Sequence, residues 1–342
     1  MNSLQRTLKT INLEIPDQVP VDLHCFMMAA ARSAHPMSEV FKNGQLLAQS
    51  QLDLWREFKH DVILLENGTT AMAEAMGAGV VYPDDAVPKV VAPRLKRLED
   101  VEELSLPELQ SSATLPELLR ATEIVSKELG DHVFIMGRAD QGPFSLAALL
   151  RGIDNFMMDL MDPAKKDLVK RLLEICTEAV ISLALAQLEA GAHGTSIGES
   201  LAGLISPAMY GEFAVPYEKR VVEAVKVKGG VISLHICGDC TRILDQMVET
   251  GAHILEIDEK ADLAKAKELA KGKCCLLGPV SPTALRYKTP DVIAELTRQA
   301  IEVAGQGGGL ILGPGCAMAE ETPAENVQAM IRAARKYGVY RV

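Results

Sequence analysis

The feature of this 342-residue chain that most constrains its fold is a long alternation of short apolar runs with amphipathic stretches. The apolar runs are PVDLHCFMM at 20–28, DVILLEN at 61–67, HVFIMG at 132–137 and GTSIGE at 194–199. They continue as VISLHIC at 231–237, HILEID at 253–258, CCLLGPV at 274–280 and GGLILGPG at 308–315. Helical spacing fills 163–190, 207–228, 240–249, 262–271, 289–304 and 323–337. Ser206–Pro207, Thr289–Pro290 and Thr322–Pro323 each set a capping hydroxyl before a proline at a first helical position. Runs apolar nearly throughout suit parallel strands covered on both faces. About eight strand–helix units predict an α/β fold closed into a (β/α)8 TIM barrel, with an open doubly wound sheet as the rival. The length suits one barrel domain over 1–342, with an N-terminal extension over about residues 1–18 and an excursion over about 68–131.

A formal net charge of −11 argues against a broad nucleic-acid surface, which needs clustered Lys and Arg. No apolar run reaches the roughly 18–20 residues of a membrane span, so no membrane partner is expected. The opening MNSLQRTLKT lacks the apolar core of a secretory signal. A cytoplasmic location is the expectation. Seven scattered cysteines, an odd number, disfavour a disulfide framework. They are then packing residues, metal ligands or nucleophiles.

In a barrel of this kind chemistry gathers at the C-terminal ends of the strands. Read in order, those ends carry His24, Glu66 with Asn67, Arg138, Glu199, His235 with Cys237, Asp258, Gly278 and Cys316. The sharpest local motif is HICGDC at 235–240. In an extended strand residues i and i+2 point the same way, so His235 and Cys237 can face one ion. Imidazole and thiolate are ligands that zinc prefers, and catalytic zinc usually takes three protein ligands. Cys240 and Cys316 compete for the third place. A Cys-x-x-Cys knuckle through Cys240 normally needs a second ligand pair, and the chain has none, so Cys316 is preferred. Buried, inert cysteines remain the alternative.

Most of the chain, from about residue 18 to 339, resembles the uroporphyrinogen decarboxylase superfamily. The matching stretches are FMMAAARSAHP, AEAMG, GPFSLAALLRG, ESLAGLISPAMYGEFAVPY and TPAENVQAMIRAARKYG. The resemblance implies a (β/α)8 barrel. It does not extend to the decarboxylase's own site. Arg32 fills the place of the second carboxylate-binding arginine, but Met28 stands at the first and Ala29 at the intervening glutamine. Gly68 stands near the place of the catalytic aspartate and Leu149 at that of the substrate tyrosine. The late histidine falls at or beside Cys316.

The chain is more similar to the family's zinc methyltransferases, which use methylcobalamin and coenzyme M. Their His-x-Cys and distant Cys match His235, Cys237 and Cys316. The resemblance implies Zn2+ on these three residues. It also implies an acidic residue, Glu199 or Asp258, that fills the open position before substrate arrives. The implied activity is methyl transfer between a corrinoid cobalt and a zinc-activated small substrate, a thiol such as coenzyme M foremost. Transfer from an aryl methyl ether, methanol or a methylamine to Co(I) is the alternative, and uroporphyrinogen decarboxylation the more remote one. DLHCFM at 22–27 lacks the glycine of the corrinoid motif Asp-x-His-x-x-Gly. Methylcobalamin is therefore expected on a separate corrinoid-binding protein, with His24, Met28 and Gln141 as candidate contacts at the mouth.

Overall fold

A computed structural model describes residues 1–340. Nine strands are present among them: β1 (Val62–Leu65), β2 (Gly79–Val81), β3 (Lys89–Ala92), β4 (Phe134–Gln141), β5 (Gly194–Gly198), β6 (Val231–Ile236), β7 (Ile254–Ile257), β8 (Cys275–Val280) and β9 (Leu310–Pro314). Seven form one parallel sheet in the order β1-β4-β5-β6-β7-β8-β9. Parallel bridges from Val21 to Leu312 and from Asp22 to Val62 join its two edges. Residues 21–22 thus supply the eighth stave, and the sheet curls into the expected TIM barrel.

The period-2 alternation sorts the strand residues into two buried layers. Ile63, Leu65 and Ile135 face outward into the helical shell, as do Leu234, Ile257 and Leu312. The other parity faces the barrel axis. Near the strand N-termini that axis holds Val62, Leu64, Phe134, Met136, Ile254, Cys275, Leu277 and Ile311. The helix Ser3–Ile11 lays Leu4, Leu8 and Ile11 against this cluster. Arg6 anchors the helix through Asp17 and Asp61, at 2.7 Å each. The N-terminal extension is therefore the base of the barrel.

Several local expectations need correction. The first apolar run is extended only near 21–22, because His24 adopts a left-handed φ of 39° and a helix starts at Phe26. The Ala-rich stretch that follows favours helix over strand. The interval 68–131 is not all excursion. The helix Leu115–Leu129 packs on the helix Gly44–Phe58 and on β4, as an outer-layer helix of the barrel should. The antiparallel pair β2–β3 lies inside the interval and was not anticipated. The stretch 207–228 divides into helices Pro207–Phe213 and Val215–Val227, since Pro216 has no N–H to continue the ladder. Ser206 caps as expected, accepting from Met209 N–H at 3.3 Å. Thr289 makes no side-chain cap bond, and Thr322 donates instead to the Ala319 carbonyl at 2.8 Å.

Candidate functional site

Strand β6 ends at the rim with His235 pointing to the axis and Cys237 two residues beyond. Cys316 arrives from the loop after β9. His235 Nε2 lies 3.0 Å from Cys237 Sγ, and the two Sγ atoms are 3.9 Å apart. The three ligand atoms fall within 4.8 Å of one another, the one such convergence of His, Cys, Asp or Glu among the described residues. Tetrahedral zinc with bond lengths of about 2.3 Å to sulfur and 2.0–2.1 Å to nitrogen spaces two sulfurs by about 3.8 Å and sulfur from nitrogen by about 3.6 Å. The sulfur pair already fits. The histidine needs to withdraw by roughly half an ångström. The donor set, one imidazole and two thiols, is one that zinc takes, and three protein ligands leave a fourth position for a substrate atom.

The two thiols share their protons unequally. A hydrogen bond from Cys316 draws Cys237 far below an ordinary thiol, and His235 adds to the pull against the cost of burial. The same bond, together with burial, raises Cys316. Burial lowers His235, but the bond to Cys237 and the charges of Cys237 and Glu256 outweigh it, so the imidazole is raised. Cys237 is thus the thiol of the pair that ionises more readily.

Beneath the rim the axis turns polar. Glu256 accepts from Ser233 Oγ at 2.7 Å and from Ser196 Oγ. Arg138 Nη1 donates to Ser196 Oγ at 2.7 Å and lies 3.6 Å from Glu256 Oε2. Arg138 Nε is 3.8 Å from Glu66 Oε2, which contacts His24 Nε2 at 2.9 Å. Burial opposes the charges here, yet Arg138 remains raised by Glu66 and Glu256, and Glu256 remains lowered by Arg138, His235 and His24. Asp22 differs. It is wholly buried, neither carboxylate oxygen has a partner, and burial pushes it up to about 7.

Both acidic candidates are held by backbone N–H groups. Glu199 accepts from Phe144 N–H at 3.0 Å and Ser145 N–H at 2.8 Å, and is not among the converging ligand atoms. It caps the helix Pro143–Arg151 at its N-terminus, but burial outweighs the two backbone N–H bonds and pushes its carboxyl up to about 7. Asp258 accepts from Gly238 N–H at 2.8 Å and Lys260 N–H at 3.0 Å. It pins the turn that follows Cys237, and likewise stands outside the converging set. Cys240 is buried in the hydrophobic core.

Among the expected corrinoid contacts, Met28 needs correction. It is 1% exposed within the hydrophobic core, on the buried face of the helix Phe26–Ala31. His24 is tied to Glu66. Gln141 Oε1 accepts from Ser200 Oγ at 3.1 Å at the end of β4. Glu256 was missed, although it shares the inward parity of Asp258 and pairs in register with His235.

The uroporphyrinogen decarboxylase (URO-D) family matches residues 2–337 of this chain. A methylcobamide:CoM methyltransferase MtbA of Methanosarcina acetivorans is 32% identical over 272 residues, covering 78% of this chain and 77% of that protein. A uroporphyrinogen decarboxylase of Methylobacillus flagellatus is 27% identical over 312 residues, covering 88% of this chain and 86% of that protein. A solved structure described as a methyltransferase from Methanosarcina mazei superposes with a TM-score of 0.90 at 29% identity, covering 98% of this chain and 99% of that one.

Proposed function

The chain belongs to the uroporphyrinogen decarboxylase (URO-D) family and is a methyltransferase within it; we propose that it moves a methyl group from a corrinoid to a small thiol activated on zinc. The observation that carries this reading is the convergence of His235, Cys237 and Cys316 at the barrel mouth, with spacing suited to zinc. The methyl donor is a methylated corrinoid presented by a separate corrinoid-binding protein, and the acceptor is a thiol of the coenzyme M type. The similarity to the methylcobamide:CoM methyltransferase supports both assignments.

His235, Cys237 and Cys316 would hold the ion through one imidazole nitrogen and two thiolates. Zinc bound there would supply Lewis acidity, lowering the pKa of a thiol so that it gives its proton to solvent at neutral pH and its sulfur is nucleophilic. Cys237 and Cys316 as thiolates with a neutral His235 would balance the charge of the dication, so this ligand set would withdraw little electron density from a substrate sulfur. In the transfer, the sulfur lone pair forms the S–CH3 bond while the Co–CH3 pair stays on cobalt, converting Co(III) to Co(I). Asp258 holds the turn carrying Cys237, and Glu199 holds the neighbouring loop between β4 and its helix.

Elemental analysis of protein purified without added metal tests the reading, together with demethylation of free methylcobalamin by coenzyme M. About one zinc per chain and thiol-dependent demethylation are expected. A metal-free parent, after zinc has been offered and excess removed, overturns the reading.

A further inference from the structure

The zinc reading leaves open what decides which nitrogen of His235 faces the ion. Nε2 points to Cys237, at 3.0 Å. Nδ1 points the other way, toward two buried acceptors of one residue. It lies 3.4 Å from the Glu256 backbone carbonyl and 3.7 Å from Glu256 Oε2. Both groups are acceptors, and neither can donate to Nδ1. We propose that Glu256 is the positioning residue of this site: it places the proton on Nδ1 and so presents the Nε2 lone pair to the metal. The inference rests on the zinc reading above.

Glu256 is suited to the task because it is itself fixed. One carboxylate oxygen accepts from hydroxyls on two different strands, Ser196 on β5 and Ser233 on β6. The other is left toward His235 and Arg138. The backbone register sets Glu256 directly opposite His235 across β6–β7, so the carbonyl contact follows from strand pairing. The Arg138–Glu66–His24 chain then ties the carboxylate to the far side of the barrel. A metal-bound histidine whose other ring nitrogen donates to a carboxylate or carbonyl is better oriented and more basic.

Glu256→Gln keeps the shape but removes the charge, and its amide can turn an N–H toward Nδ1, favouring the wrong tautomer. Zinc affinity measured by competition with a chromophoric chelator is expected to fall about 10–100-fold. With Co2+ in place of zinc, the thiolate-to-cobalt absorption should shift or weaken. Ser233→Ala, which removes one of the two hydroxyls, should show a smaller fall in the same direction. A merely structural Glu256 would lower the melting temperature of the metal-free protein and leave the zinc Kd of the folded protein and the cobalt spectrum unchanged. That outcome, with a zinc-binding parent, overturns the positioning role alone. A parent that takes no zinc overturns the function reading as well.

Discussion

The two halves of the barrel interior are made from the same strands and the same alternation, yet they do opposite things. The lower half is hydrocarbon: Phe134, Met136, Leu64, Ile254 and Leu277 fill it with the N-terminal helix beneath. One further inward step along each strand reaches Glu66, Arg138, Ser233 and Glu256. Apolar packing of the lower half holds the staves at fixed separations. That fixed frame lets ionised groups above it stay buried, because each meets a partner in place rather than having to find one. The lesson is a division of labour by depth, with stability below and chemistry above.

The comparison breaks most sharply at the rim. Cys316→Ser should remove nearly all bound zinc and with it thiol-dependent demethylation, while circular dichroism shows the fold retained. Full zinc occupancy in that variant would take Cys316 out of the ligand set. The lower half should respond in the opposite sense. Phe134→Ala should cost about 3–5 kcal/mol in denaturant unfolding, with the zinc Kd of the folded protein close to that of the parent. A large change in Kd would mean that the two halves are not separable.

Asp22 marks the boundary between them and should give a pH signature. Its folded value is raised to about 7 by burial, whereas an unfolded aspartate loses its proton near 4. The fold keeps the proton over that interval, so Asp22 costs stability as pH rises from about 4 to about 7, and the cost persists above it. Asp22→Asn should therefore be more stable than the parent by about 2–4 kcal/mol at pH 8, with the difference closing below pH 4. Thermal unfolding across pH checks this, and a pH-independent difference would refute it. The smallest effect is expected at Glu199. Glu199→Gln should change stability by no more than about 1 kcal/mol, because a weakened cap is set against relief of a buried carboxyl, and should leave zinc stoichiometry at the parent's value. Loss of zinc in that variant would restore Glu199 to the coordination shell.

The barrel was legible because its outward residues are apolar wherever helices cover them, which makes each strand stand out. The rim was legible where strands run straight: His235 and Cys237 share a parity, and the structure places them side by side. It was illegible where the backbone bends. His24 at φ 39° ends the first strand early, and the helix that follows from Phe26 carries Met28 into the core. Glu199 and Asp258 were chosen by chemistry, but their oxygens are occupied by backbone N–H groups that no side-chain pattern reveals. Glu256 escaped for the converse reason. It sits one inward step below the strand end, and only the register across β6–β7 shows it beside His235.

The helix Ser3–Ile11 against the lower cluster makes the barrel a vessel stoppered at one end. A cul-de-sac imposes an order of arrival. On the proposed reaction a small thiol and a bulky corrinoid carrier approach by the same doorway, and a carrier seated over it would block the thiol. The thiol enters first and its methylated product departs last, so steady-state kinetics should follow a compulsory sequence.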